Sequence, residues 1–306
     1  MVRNFLFHRV NPERDPLWDP MDVKLFDKCI KHIKNNYDIV QIEDFEFLDF
    51  NSRHNRYATI SFDDGYKDNI DFAAPILDRQ NVKASFYVVT DCIDKNIPTW
   101  THELKHRFTF SQKLTINLDF DFLPADFRVK KFRNKSHKIK YVLALKKQLL
   151  KTKFEHKTFL LDEVRRAFDD VTLPQIMMSW DDLRILQNEG HKIGSHSETH
   201  IMLGTTSNRD VIRKELQLSF QKIKQEIGES PQTIAYPVGS YNQVTKDLAK
   251  EVGYKYGLAV TQNVHIPNQH DLFEIPRIEL YNESWLKTRM RINNSLEKIK
   301  SFIGYK

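Results

Sequence analysis

Cysteine is scarce: Cys29 and Cys92 are the only two in 306 residues. They are too few and too far apart for a disulfide framework or a thiolate zinc site, so both are expected as buried thiols. No apolar run reaches the roughly 18 residues of a membrane-spanning helix. The opening stretch MVRNFLFHRVNPERD meets charge and proline early and lacks the apolar segment of a secretory leader, from which a cytoplasmic location is expected. Internal repeats and low-complexity linkers are also missing. Acidic residues are nearly absent from one window, residues 128–157, where twelve Lys or Arg face the single acid Glu155. That window carries +11 of a net +6, leaving the remainder at −5. The basic balance therefore belongs to one segment, and no nucleic-acid partner is implied.

What is present suits a folded core, with 40% hydrophobic and 29% charged residues. Short apolar, β-branched or aromatic runs recur at Phe5–Val10, Ala58–Phe62, Ala84–Val89, Lys192–Ser195, Thr233–Tyr236, Tyr256–Thr261 and Glu274–Ile278, giving seven candidate strands. Helical spacing lies between most of them. Leu25, Phe26, Cys29, Ile30 and Ile33 share one face, as do Ile212, Leu216, Phe220, Ile223 and Ile227 before Gly228. Such alternation predicts an α/β fold with a parallel sheet or barrel. It lapses over residues 94–178, read as an insertion within a single domain spanning 1–306. There Ile139, Val142, Leu143, Leu149 and Leu150 recur at roughly helical spacing among lysines. This basic amphipathic helix is either a solvated lid or an attractor of phosphates or an anionic membrane surface.

Three clusters carry chemistry. Ser61-Phe62-Asp63-Asp64-Gly65 follows the strand Tyr57-Ala-Thr-Ile. Catalytic groups of α/β barrels gather at the carboxyl ends of strands, where one Asp of such a pair can bind a metal and the other abstract a proton. Asp-Asp-Gly is equally a good turn. His196-Ser-Glu-Thr-His200 follows Lys192-Ile-Gly-Ser, and histidines so spaced can reach one Zn²⁺, Ni²⁺, Co²⁺ or Fe²⁺ ion; among twelve histidines a chance pair is also easy. Ile234-Ala-Tyr236-Pro237-Val-Gly239 ends another strand, where Pro and Gly can aim a backbone N–H into a site or simply turn the chain.

Taken together, SFDDG, HSETH and AYPVG resemble the first three motifs of the polysaccharide deacetylases, the NodB-homology or carbohydrate esterase family four group, in the same order. The resemblance covers about residues 3–92 and 179–282. It implies a distorted (β/α)₇ barrel, to which residues 94–178, outside the resemblance, would add a mostly helical basic insertion. It also implies Asp63 as general base, with Asp64, His196 and His200 as ligands of one divalent ion, most often Zn²⁺, with Co²⁺ or Ni²⁺ as alternatives. The third motif implies a substrate groove at Pro237 and Gly239 and an oxyanion donor in the Tyr236 backbone N–H. The activity implied is hydrolysis of an N-acetyl group on an amino sugar, releasing acetate.

The chain departs from that pattern in two respects that bear on mechanism. Where many members carry an arginine in the third motif stands Ala235, and Arg277 in Phe-Glu-Ile-Pro-Arg-Ile-Glu-Leu is a replacement whose fork could reach Asp63. No histidine follows His270, so the late Leu-x-His motif that supplies the acid is missing. His8, on the first strand, resembles a histidine found near the metal in the branch acting on matrix glucosamine polymers, and is a candidate for the site. Trp180 and Trp100 could stack a sugar or close the lid by packing. The expected substrate is an N-acetylated saccharide, or a nucleotide- or lipid-linked sugar precursor whose phosphates the 128–157 segment could hold, with peripheral membrane contact through that segment. The same constellation suits another small amide or ester, and a glycan-binding pseudoenzyme is the non-catalytic reading.

Overall fold

The structure, a computed structural model, describes residues 1–15, 17–50, 55–267 and 269–295. Among the described residues ten strands run in chain order: β1 (Val2–Phe7), β2 (Asp38–Ile39), β3 (Tyr57–Phe62), β4 (Ser85–Val88), β5 (Thr115–Asn117), β6 (Val129–Lys131), β7 (Lys192–Ser195), β8 (Thr233–Ala235), β9 (Tyr256–Leu258) and β10 (Ile278–Glu279). The main sheet has the order β10-β1-β3-β4-β7-β8-β9, with β2 paired to the start of β3, and all its pairings are parallel. Just before β10, Ile275 makes a parallel bridge to Leu258 of β9. One stretch of chain thus touches both ends of the sheet and curls it into a distorted (β/α)₇ barrel. β1, β3 and β4, at the middle of the sheet, are almost wholly buried, as parallel strands covered on both faces must be.

Helices cover the outside. Val23–Lys34 starts on the Asp22 side chain, which accepts from the Lys24 and Leu25 N–H groups, and buries Phe26, Cys29, Ile30 and Ile33. Arg209–Ile227 starts on Asn208, buries Ile212, Leu216, Ile223 and Ile227, and stops at Gly228 in the left-handed conformation. Both cysteines are free and buried. Among the described residues no helix is long and apolar enough to cross a membrane.

The chain between β4 and β7 builds a layer over one end of the barrel. Helices Trp100–Phe110, Lys135–Leu149 and Phe154–Ala167 and the antiparallel pair β5–β6 surround a second apolar core that includes Leu104, Phe108, Val142, Leu145, Leu160 and Phe168. The buried stripe of Lys135–Leu149 is Lys138, Tyr141, Val142, Leu145 and Leu149. Leu143 lies outside it and is 46% exposed, correcting the expected face. A residue next to Val142 is turned about 100° around the helix, and the spacing of Tyr141, Leu145 and Leu149 sets the true stripe. The Trp100 indole N–H donates to the His200 carbonyl at 2.9 Å, tying this layer to the barrel.

Candidate active site

The carboxyl ends of β1, β3, β4, β7 and β8 are brought level by the sheet register. Phe7 lies opposite Phe62, Val88 opposite Ser195, and Ser195 opposite Ile234. Asp63 and Asp64 leave β3, and His196 leaves β7 with its N–H held by the Val88 carbonyl at 2.9 Å. Asp64 has φ +74° and is followed by Gly65 at φ +90°; Ser197 and His200 are also left-handed, at φ +65° and +62°. Non-glycine residues in this region carry strain, and here the strain gathers on the two loops that converge at the strand ends.

Convergence is tight. The Nε2 atoms of His196 and His200 lie 3.4 and 3.2 Å from Asp64 Oδ1. One ligand atom from each of the three residues falls within 4.8 Å of the others. All three side chains are at most 3% exposed, and neither carboxylate oxygen of Asp64 has a hydrogen-bond partner among the described residues. A buried carboxylate left so bare is costly unless a cation completes it. His196 Nδ1 lies 2.8 Å from the Ala235 carbonyl, a bond that leaves Nε2 as the lone-pair nitrogen facing Asp64. Two imidazoles and one carboxylate with open positions suit a catalytic divalent ion, so the residues fit such a group.

Asp63 is clamped beside this cluster. Arg277, fully buried, donates Nη1 to Oδ1 and Nη2 to Oδ2, each at 2.7 Å. Burial pushes the Asp63 carboxyl up, but the Arg277 charge and then His196 outweigh it and hold the group below the ordinary carboxylate range. Burial pushes the Asp64 carboxyl up, but the imidazoles of His196 and His200 beside it outweigh this and hold it well below that range. His8 lies at the rim, its Nδ1 3.3 Å from Glu279 Oε1 and its ring 5.2 Å from that of Trp18.

The model of the polysaccharide deacetylases matches residues 51–257 of the chain. The chain belongs to that family. Membership makes the protein a hydrolase of the polysaccharide deacetylase type. No curated protein matches. Among solved structures, the deacetylase PplD of Streptococcus pyogenes, in complex with acetate, is 16% identical with a TM-score of 0.60, over 97% of this chain and 96% of that one. A de-N-acetylase from Aggregatibacter actinomycetemcomitans is 17% identical with a TM-score of 0.60, over 95% and 99%. IcaB from Ammonifex degensii is 13% identical with a TM-score of 0.62, over 95% and 96%. At these identities the likeness is one of fold.

Two expected site residues of this deacetylase are placed otherwise. The Tyr236 N–H already donates to the Leu258 carbonyl at 3.1 Å in the β8–β9 pairing, and its hydroxyl donates to the Phe273 carbonyl. It has no N–H to offer an oxyanion. In the same loop Pro237 is buried and Gly239, at φ +65°, gives its N–H to Tyr236. Val238 between them is left-handed and 43% exposed, and nothing among the described residues accepts from its N–H. Trp180 stands apart from the ligand cluster: its indole donates to Asp94 at 2.7 Å, and its ring faces Lys222 of the outer helix Arg209–Ile227. Trp18, not singled out from the sequence, is the tryptophan beside His8. Glu279 was also missed, although its spacing of two from Arg277 puts both on one side of a strand.

Proposed function

We propose that this deacetylase is a metal-dependent N-deacetylase that hydrolyses the acetamido group of an amino sugar, in a glycan or in a nucleotide- or lipid-linked precursor. The observation that supports it best is the bare, buried Asp64 held against two imidazoles, with the Arg277-clamped Asp63 alongside. A divalent ion held by Asp64, His196 and His200 would supply Lewis acidity to the amide carbonyl and lower the pKa of a water. Asp63, kept ionised by Arg277, takes the water's proton. The Val238 N–H donates to the oxygen on which negative charge develops, the task first assigned to Tyr236. His8, held by Glu279, protonates the departing amine as the C–N bond breaks, leaving acetate and a free amino sugar.

The test is acetate release from N-acetylglucosamine oligomers and UDP-N-acetylglucosamine by zinc-loaded protein, beside zinc content of the Asp63→Asn variant. Turnover is expected to fall by about 10²–10⁴-fold in the variant, with zinc still bound. Tight zinc with no acetate from any N-acetyl sugar would sink the reading, and full turnover by the variant would remove Asp63 as the base.

A further inference from the structure

Resting on the N-acetyl sugar reading, the mouth of the site holds a feature that the reaction itself does not use. Trp18, from the segment after β1, reaches the rim between His8 and two lysines of the covering layer. Lys105 from helix Trp100–Phe110 has its Nζ 5.4 Å from the Trp18 ring centroid, and Lys146 from helix Lys135–Leu149 has its Nζ 5.6 Å from it. Both are partly buried, and neither forms an ion pair with a carboxylate among the described residues. Lys105 spends one hydrogen on the Leu17 carbonyl. Two helices thus bring like charges to one indole, an arrangement that repels itself and loses water. Burial, followed by the Lys146 charge, holds Lys105 down at about 8, and Lys146 is also lowered by burial, although it feels Asp64 and Glu279.

Two ammonium groups held over a half-buried indole beside His8 offer charge-assisted hydrogen bonds to an anion on a bound sugar, with the indole as an apolar wall. We propose that Trp18, Lys105 and Lys146 form a subsite that selects N-acetylated sugars bearing an anionic substituent, a phosphate or a carboxylate. The anion relieves the repulsion between the lysines, so the subsite discriminates by charge next to the reacting acetamide. A neutral sugar leaves that repulsion in place.

Binding is measured by calorimetry on zinc-loaded Asp63→Asn protein, which removes turnover from the readout. The probes are N-acetylglucosamine 1-phosphate, N-acetylmuramic acid and the neutral methyl glycoside of N-acetylglucosamine. At least one acidic sugar is expected to bind about tenfold more tightly than the neutral one. Lys146→Gln removes most of that preference and leaves the neutral sugar unchanged, Lys146→Arg keeps it, and added salt weakens only the acidic sugars. The phosphate and carboxylate arms separate a phosphorylated precursor from an acidic glycan unit. Equal affinity for all three sugars, or a loss in the lysine variants shared by the neutral sugar, overturns the subsite. Acetate release by the unaltered enzyme is read separately: its failure counts against the proposed function, while a lysine-dependent preference would still stand.

Discussion

At the scale of single residues, the Asp63–Arg277 pair shows how a carboxylate is kept ionised inside a protein. With both side chains at most 2% exposed, an isolated carboxylate would take up a proton, and the bidentate guanidinium prevents this. Arg277→Met should therefore raise the Asp63 pKa. Because the proposed base must be ionised, the acid limb of the pH–rate profile should move to higher pH, and kcat/KM at neutral pH should fall by about 100-fold or more. Leaving Asp63 buried without its partner should also cost about 3–5 kcal/mol of stability. Arg277→Lys, which keeps the charge and loses the fork, should shift the limb less. An unmoved acid limb in Arg277→Met would mean that the pair only packs. The cluster of Asp64, His196 and His200 was legible because each stands in a short motif beside its own strand. Tyr236 and Val238 were not distinguishable in that way. Which N–H of the loop is free depends on β8 pairing with β9, a contact that the local sequence does not contain.

Elements show a similar division. Seven of the eight described strands of the main sheet were found within a few residues from short apolar, β-branched or aromatic runs, Lys192–Ser195 to the residue, while the two-residue β2 was missed. Between β4 and β7 the signal was weak. Strands β5 and β6 are three residues each and carry Lys130 and Lys131, so they have no apolar run to read. Trp100 likewise gave no hint of its partner, the His200 carbonyl, 100 residues away. That bond holds the left-handed His200, a proposed metal ligand, from behind, so Trp100→Phe should keep the fold and loosen the loop. Zinc affinity, measured by competition with a chromogenic chelator, is expected to drop about tenfold. Unchanged affinity would leave Trp100 as packing alone.

Across the whole molecule, the charge concentrated in residues 128–157 is not one exposed basic stripe. Lys138 is buried with its ammonium on the Ser111 carbonyl, Lys146 lies at the site's mouth, and Lys157 is 4% exposed under the Trp100 ring. The apolar face of helix Lys135–Leu149 is taken up by the covering layer's own core, so any membrane contact would rest on the remaining exposed charge. Lys157 has the plainest energetic consequence. Its Nζ is buried with no hydrogen-bond partner among the described residues, and burial pushes its pKa down to about 8. An unfolded chain holds that proton up to about 10.4. Between these values the unfolded state binds more protons than the folded one, so stability rises with pH across the window, by up to about 1.4 kcal/mol per unit. Lys157→Met, which removes the charge and keeps much of the volume, should be the more stable protein at pH 7. Its advantage should shrink steadily between about pH 8 and 10. Urea unfolding of both proteins at pH 7, 8.5 and 9.5 reads this directly. Lys105 and every other group common to both cancels, and a difference that stays constant with pH would mean that the Lys157 amine is not charged in a dry site at neutral pH.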